Sequence, residues 1–180
     1  MKGIIIYGSN YGTAKRYSEA LSEHLKFDCY SYEEVDKNTL KDYKLIIYGG
    51  GLYAGGVKGL SKTVRMLNNI NDKNLIIFTV GLSNPTDEKN IINIRKSLKK
   101  QIPEELYDEK NIFHFRGGID YKKLSFLHKT IMTLLYKKVK KTPESERNAS
   151  AVGIIETYNK QVDFVDLDSL KELEEYVLSK

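Results

Sequence analysis

The chain of 180 residues is 41% hydrophobic and 29% charged, which is enough for one globular domain with a sizeable core and too little for two. No apolar run approaches the ~18 residues of a membrane span, and Met1-Lys2 leads straight into Gly3-Ile4-Ile5-Ile6 without a secretory leader, so the expected location is cytoplasmic. The lone cysteine, Cys29, excludes disulfide and cluster folds; the net charge of +5 is local, because residues 121–141 hold seven lysines and no acid, leaving the rest at about −2.

Strand patterns run over 2–7, 27–32, 44–49, 74–80 and 111–116, several of them near-continuous apolar runs of the kind that suits strands buried on both faces. Helical spacing fills the gaps over 12–26, 57–70 and 87–101. Ala14, Tyr17, Ala20, Leu21 and Leu25 form one stripe, and Ile91, Ile92, Ile94 and Leu98 another. The third connection, 36–42, is short enough for a turn or a single-turn helix. A last amphipathic helix is expected over 166–178, with Leu167, Leu170, Leu173, Tyr176 and Val177 on one side. This alternation predicts a doubly wound α/β fold with a five-stranded parallel sheet in the order 2-1-3-4-5. Its ligand crevice lies at the carboxyl ends of the strands, in the loops after strands one, three and four.

Two segments exceed that minimal unit. Residues 121–150 read as an insertion after the fifth strand, a basic amphipathic helix followed by the polar loop 142–150, within a single domain of 1–180. Beyond it, 152–157 and 161–165 flank Tyr158-Asn159-Lys160, a pattern for a hairpin or a late extension of the fifth strand. In the basic stretch, Leu124, Leu127, Ile131, Leu135 and Val139 recur at helical spacing, so packing of one face on the sheet is the leading expectation. Lysines flanking an apolar midsection also suit contact with anionic lipid or an acidic partner. With no Arg in the segment and no recognisable binding module, nucleic acid is not expected as a partner.

Several chemistries lack their residues. Neither G-x-G-x-x-G nor G-x-x-x-x-G-K-[ST] follows the first strand, and Gly81-Leu82-Ser83-Asn84-Pro85 fails as a nucleophile elbow at Pro85. His24, His114 and His128 have no ligand spacing, so no metal site is expected, and His24 reads as a solvated surface residue. Ile4-Ile5-Ile6-Tyr7 lacks the carboxylates of a phospho-receiver, and no catalytic side chain is assigned.

Three loops carry the chemistry that is present. Ser9, Asn10, Tyr11, Gly12, Thr13 and Ala14 open directly into a helix, where free backbone N–H groups and the helix dipole can hold a phosphate; a plain capped helix start is the competing reading. Residues 49–56 contain five glycines, and Gly50, Gly51, Leu52, Tyr53, Ala54 and Gly55 offer close backbone approach and ring cover to a flat ligand. Gly81, Leu82, Ser83 and Asn84 offer amide and backbone hydrogen bonds to a heterocycle edge.

Together these loops resemble the flavodoxin family, and the tail Phe115-Arg116-Gly117-Gly118-Ile119-Asp120-Tyr121, with the basic helix behind it, looks like the branch that includes menaquinone-dependent protoporphyrinogen oxidase. The resemblance implies FMN as cofactor, bound by the residues named in the three loops, with a redox protein or a quinone as partner. The chain departs from the family at Ala14, where a hydroxyl residue is usual, in its lack of an acidic surface and in having no Trp; Tyr53 is the natural substitute as ring cover. Three readings follow: an FMN-binding electron-transfer protein or oxidoreductase, a menaquinone-dependent protoporphyrinogen dehydrogenase of heme biosynthesis at the membrane surface, and a flavin-free phosphate-binding or docking module.

Overall fold

A computed structural model describes residues 2–53, 56–67 and 73–180. The strands are β1 (Gly3–Gly8), β2 (Asp28–Ser31), β3 (Leu45–Tyr53), β4 (Gly56–Val57), β5 (Asn74–Gly81), β6 (Ile112–Arg116), β7 (Gly118–Asp120) and β8 (Gln161–Asp163). The helices are α1 (Thr13–Leu25), α2 (Lys37–Lys41), α3 (Leu60–Leu67), α4 (Glu88–Leu98), α5 (Phe126–Lys140), α6 (Ala149–Thr157) and α7 (Lys171–Leu178). The main sheet runs β2-β1-β3-β5-β6 with every pair parallel, which is the expected 2-1-3-4-5 order when the parallel strands alone are counted.

The strand periodicity of two divides the apolar runs between two cores. Ile4, Ile6, Ile46, Tyr48 and Ile77 face Leu60, Val64 and Leu67 of α3 and Ile94 and Leu98 of α4. Their neighbours Ile5, Ile47, Ile76 and Phe78 face Ala14, Tyr17 and Leu21 of α1 and Leu173 and Val177 of α7. Burying both faces explains why these strands read as unbroken apolar runs rather than alternating ones. Each fully buried Ile or Phe contributes about 1.5–3 kcal/mol relative to exposure. The Tyr17 hydroxyl, inside the second core, donates to Arg116 O at 2.8 Å and accepts from Asp166 N at 2.9 Å, tying α1 to the end of β6 and to the C-terminal segment.

Several expectations need correction. The sheet has a sixth, antiparallel member: β4 pairs with the end of β3, Leu52 opposite Val57 and Tyr53 opposite Gly56, so much of the glycine-rich loop is a hairpin. Val57 therefore belongs to a strand, α3 begins only at Leu60 and is described to Leu67, and positions 68–70 of the helix expected over 57–70 lie outside the described residues. On α4, Ile94 and Leu98 are buried but Ile92 is 64% exposed, because the inward stripe runs through Asn90, Ile94 and Leu98 instead.

The segment 152–157 is helical. Asn148 caps α6 by accepting from Ala151 N at 2.9 Å, and Ala151, Gly153 and Thr157 turn one face inward, which overrides the β-branched content of the run. Gln161–Asp163 then pairs antiparallel with β7, Ile119 opposite Val162, rather than forming a hairpin with 152–157 or extending the fifth parallel strand. The basic helix α5 does not pack on the sheet and buries none of its residues fully. Both sheet faces are already covered by α1 with α7 and by α3 with α4, so α5 leans on α6, Tyr136 stacking on Tyr158 with centroids 3.8 Å apart. Among the described residues no helix is long and apolar enough to cross a membrane.

Candidate functional site

The loop after β1 turns into α1 through Gly12, whose φ of 90° is a left-handed value that glycine adopts without strain. Ser9 Oγ accepts from Gly12 N at 2.9 Å, and no side chain caps the helix. The first-turn N–H groups of α1, on Thr13, Ala14 and Lys15, precede the point where intrahelical bonding can begin; Arg16 N is the first to close on Gly12 O, at 2.9 Å. Ala14 is buried in the core beneath, so it offers the loop its backbone alone. Lys15 lies along the helix and pairs with Glu19 at 3.5 Å.

Tyr11 and Tyr53 connect this loop to its neighbours. Asn10 N donates to Tyr53 Oη at 3.1 Å, joining the first loop to the glycine-rich one, and burial pushes the Tyr53 pKa up. The Tyr11 hydroxyl shares a hydrogen bond with His128 Nδ1 and accepts from Ser125 N at 3.4 Å, so it reaches the start of α5. Tyr53 and His128 lie nearly parallel, 20° apart in plane with centroids 6.3 Å apart. In the third loop, Arg116 Nε donates to Leu82 O at 3.0 Å while its other end meets Glu156 of α6 at 2.8 Å, pinning that loop against α6. A Cβ on Gly153 would come 3.3 Å from Ser83 Oγ, so glycine allows this close approach.

These elements surround a cavity of about 740 Å³ at the carboxyl ends of β3, β5 and β6. Of the residues expected from sequence, Tyr11, Thr13, Gly51, Leu52, Tyr53, Gly81, Leu82 and Ser83 line it. Ser9, Asn10, Gly12 and Ala14 form the adjoining loop without lining the void, and Gly50 is buried, a Cβ there coming 2.0 Å from Val57 Cγ1. Asn84 is occupied locally, its Oδ1 accepting from Thr86 N at 3.0 Å and its carbonyl from Asn90 Nδ2 at 3.1 Å. Ala54 and Gly55 lie outside the described residues.

The family follows from a comparison of the sequence with known domains: residues 4–146 match the flavodoxin domain model. The chain belongs to the flavodoxin domain family. An uncharacterized protein of Methanocaldococcus jannaschii is 28% identical over 83 residues, 45% of this chain and 55% of that protein, so the match spans about half the relative's length. Among solved structures, an archaeal flavodoxin is 18% identical over 68% of this chain and 87% of its own, with a TM-score of 0.44. Flavodoxin 2 of Bacillus cereus is 16% identical over 88% and 100%, with a TM-score of 0.45. A Lactobacillus acidophilus flavoprotein in complex with FMN is 14% identical over 64% and 91%, with a TM-score of 0.41. None of these likenesses reaches the narrower protoporphyrinogen oxidase branch.

This flavodoxin domain also places residues in the cavity that the loop motifs do not disclose. His128, Ile131, Met132 and Leu135 of α5, from the insertion, and Ile154 of α6, just beyond it, form a wall over the sheet edge that is apolar apart from His128. On the other side Thr79 and His114 sit side by side on β5 and β6, with Thr79 Oγ1 and His114 Nδ1 2.7 Å apart. Burial, with a smaller contribution from the Arg95 charge, lowers the His114 pKa to about 4, so the ring is neutral near pH 7. Strand alternation could have found His114, since it falls on the same face as Ile112. Nothing local marks His128, which depends on how the insertion returns to the sheet.

Proposed function

We propose that this protein binds FMN in the cavity at the sheet edge and serves as an electron-transfer flavoprotein. The carrying observation is the meeting of three backbone loops of a flavodoxin domain around one apolar cavity of about 740 Å³, a volume suited to a cofactor. The residues present fit the group. The uncapped first turn of α1, with the Thr13 hydroxyl, would hold the phosphate, where N–H groups and the helix dipole favour negative charge. Leu52 and Tyr53 would cover the ring, and Gly51 and Gly81 let the backbone come close to it.

When bound, FMN supplies the redox chemistry. The chain's own residues then position it and exclude water. Leu52, Leu82 and the α5 wall keep the surroundings apolar, which disfavours added negative charge on a ligand held there. Arg116, bridging Leu82 and Glu156, fixes the third loop relative to α6. No side chain is required as acid or base. The test is the visible spectrum of the purified protein before and after incubation with FMN. Flavin absorbance that co-elutes with the protein supports the proposal; a colourless protein after incubation returns the chain to the phosphate-binding or docking reading.

A second reading makes the same site a menaquinone-dependent protoporphyrinogen dehydrogenase seated on a membrane. One observation favours it: on α5, Phe126, Leu127 and Leu134 are 87%, 65% and 62% exposed beside Lys129, Lys137, Lys138 and Lys140, the make-up of a helix that lies in an anionic interface. Flotation with anionic vesicles, and reduction of bound flavin by protoporphyrinogen followed by reoxidation by menaquinone, support it. Absence of both leaves the electron carrier.

A further inference from the structure

The two-stranded ribbon of β7 and β8 borders a second cavity, of about 470 Å³, that shares no lining residue with the first. Asp120 and Gln161 face each other at the end of the ribbon, and Tyr121 N donates to Lys160 O at 3.2 Å. The turn leaving β7 and the turn entering β8 therefore lie side by side. The helix α5 closes the cavity with a different flank from the one it turns to the sheet edge: Lys129 and Thr133 line this cavity, His128 and Met132 the other. Packing holds the walls in place, because the buried Tyr121 meets Tyr158 edge-on with centroids 5.5 Å apart, and Tyr158 stacks on Tyr136 of α5.

The charge in this cavity is unbalanced. Lys122 lines it from the turn after β7, Lys160 from the turn before β8 and Lys129 from α5. Among the described residues none of these three ammonium groups has an ion pair. The one carboxylate in the lining, Asp120, is engaged elsewhere: Oδ1 accepts from Lys122 N at 2.9 Å, and Oδ2 lies 4.0 Å from Lys123 Nζ. Three ammonium groups against one carboxylate leave the walls at about +2, and a cleft concentrates such a field. A phosphate monoester carries about −1.5 to −2 near pH 7, which matches that charge, and its three terminal oxygens can each accept from an ammonium group. A single carboxylate brings at most one charge and two oxygens. The volume falls in the range of small-molecule pockets, roughly 300–1,000 Å³, so it has room for part of the molecule that carries the phosphate.

We propose that this cavity between the β7–β8 ribbon and α5 is a binding site for a phosphate monoester group, held by Lys122, Lys129 and Lys160. The group is carried by a small soluble molecule or by a lipid headgroup. The proposal goes beyond the flavin reading and does not depend on it.

The test uses glycerol 3-phosphate as the soluble monoester, dimethyl phosphate as a singly charged diester and succinate as a doubly charged dicarboxylate. Binding is read from the backbone amide resonances of Lys122, Asn159 and Lys160 in protein saturated with FMN, so that the loop before α1 is already filled. Glycerol 3-phosphate is expected to shift these resonances and to bind at least 10-fold tighter than dimethyl phosphate and at least threefold tighter than succinate. Lys129→Gln combined with Lys160→Gln should weaken it at least 10-fold and leave FMN affinity within twofold. Lys137→Gln, at an exposed position of α5 that lines neither cavity, should leave it within twofold. Asp120→Asn keeps an oxygen to accept from Lys122 N while removing the negative charge, and should tighten binding about two- to fivefold. Phosphatidylcholine vesicles carrying phosphatidic acid, compared with phosphatidylglycerol vesicles of equal charge, separate the two sources. A preference for phosphatidic acid that the double substitution abolishes assigns the site to a lipid headgroup, and glycerol 3-phosphate binding without that preference assigns it to a soluble ligand. Equal affinity for the three soluble probes, an equal loss in Lys137→Gln, or no binding of either the monoester or the phosphatidic acid vesicles would overturn the proposal in favour of diffuse attraction to a basic surface. Tighter succinate would overturn it in favour of a dicarboxylate site. Failure of FMN to bind is seen in the flavin absorbance and strikes the functional reading alone, because the resonances of Lys122 and Lys160 still report on this cavity.

Discussion

The parallel sheet and the inserted segment draw on the same apolar residue types and use them in opposite ways. Ile4, Ile5, Ile46, Ile47 and Phe78 vanish from solvent because helices cover the sheet on both sides, whereas Phe126, Leu127 and Leu134 of α5 stay largely exposed. What decides burial is the presence of a second surface to meet, and the two sheet faces are taken by α1 with α7 and by α3 with α4. The insertion instead leans on α6 and walls the cavity with its inner edge. The contrast separates a region that carries stability from one that shapes the site.

Substitutions test that separation, beginning with the core. Phe78→Ala leaves a cavity where Tyr17 and Phe115 converge and should cost about 3–5 kcal/mol in urea denaturation; a loss below 1 kcal/mol would mean that the sheet interior is not tightly packed.

Acidification probes the border between core and cavity. The folded His114 takes up a proton only near pH 4, while the unfolded chain does so near the ordinary 6.5. Between these values the unfolded state binds more protons, so the contribution is complete above pH 6.5 and is lost as the pH falls toward 4. The loss should be on the order of 2–3 kcal/mol and absent from His114→Phe. Asp36 and Asp163, both held below the usual carboxylate range, lose their contributions only at lower pH, which keeps the two effects apart; Thr39 N donates to Asp36, and Arg16 donates to Asp163. A flat wild-type profile from pH 6.5 to 4.5 would contradict the burial of His114.

Tyr17→Phe removes one hydroxyl and leaves Arg116 O and Asp166 N without their partner, for a predicted loss of about 1–3 kcal/mol measured against wild type. A neutral result would show that solvent replaces it. Smallest of all, Leu134→Ser on the exposed side of α5 should move stability by no more than about 0.5 kcal/mol; a loss comparable to the core substitution would mean that α5 is packed against something in solution.

The parallel strands and their order were legible because continuous apolar runs leave few alternatives, and α1 because Ala14, Tyr17 and Leu21 recur at one spacing. The β4 hairpin was not, since Gly56 and Val57 make a two-residue strand with no periodicity to detect. The helix α6 was hidden by Val152, Ile154 and Ile155, whose β-branched side chains argue for a strand until the Asn148 cap and the burial of Ala151 and Thr157 decide otherwise. In the site, the three loops declared themselves through glycines and hydroxyls, whereas Thr79 and His114 are separated by 35 positions and meet only through strand pairing.

Equilibrium titration of the purified protein with FMN, followed by absorbance and by quenching of flavin fluorescence, bears on all of this at once. Saturable one-to-one binding, with perturbed flavin bands and weakened by adding a side chain at Gly12 or Gly51, is the predicted result. An FMN spectrum identical to that of the free cofactor at every protein concentration would contradict the assignment of the cavity.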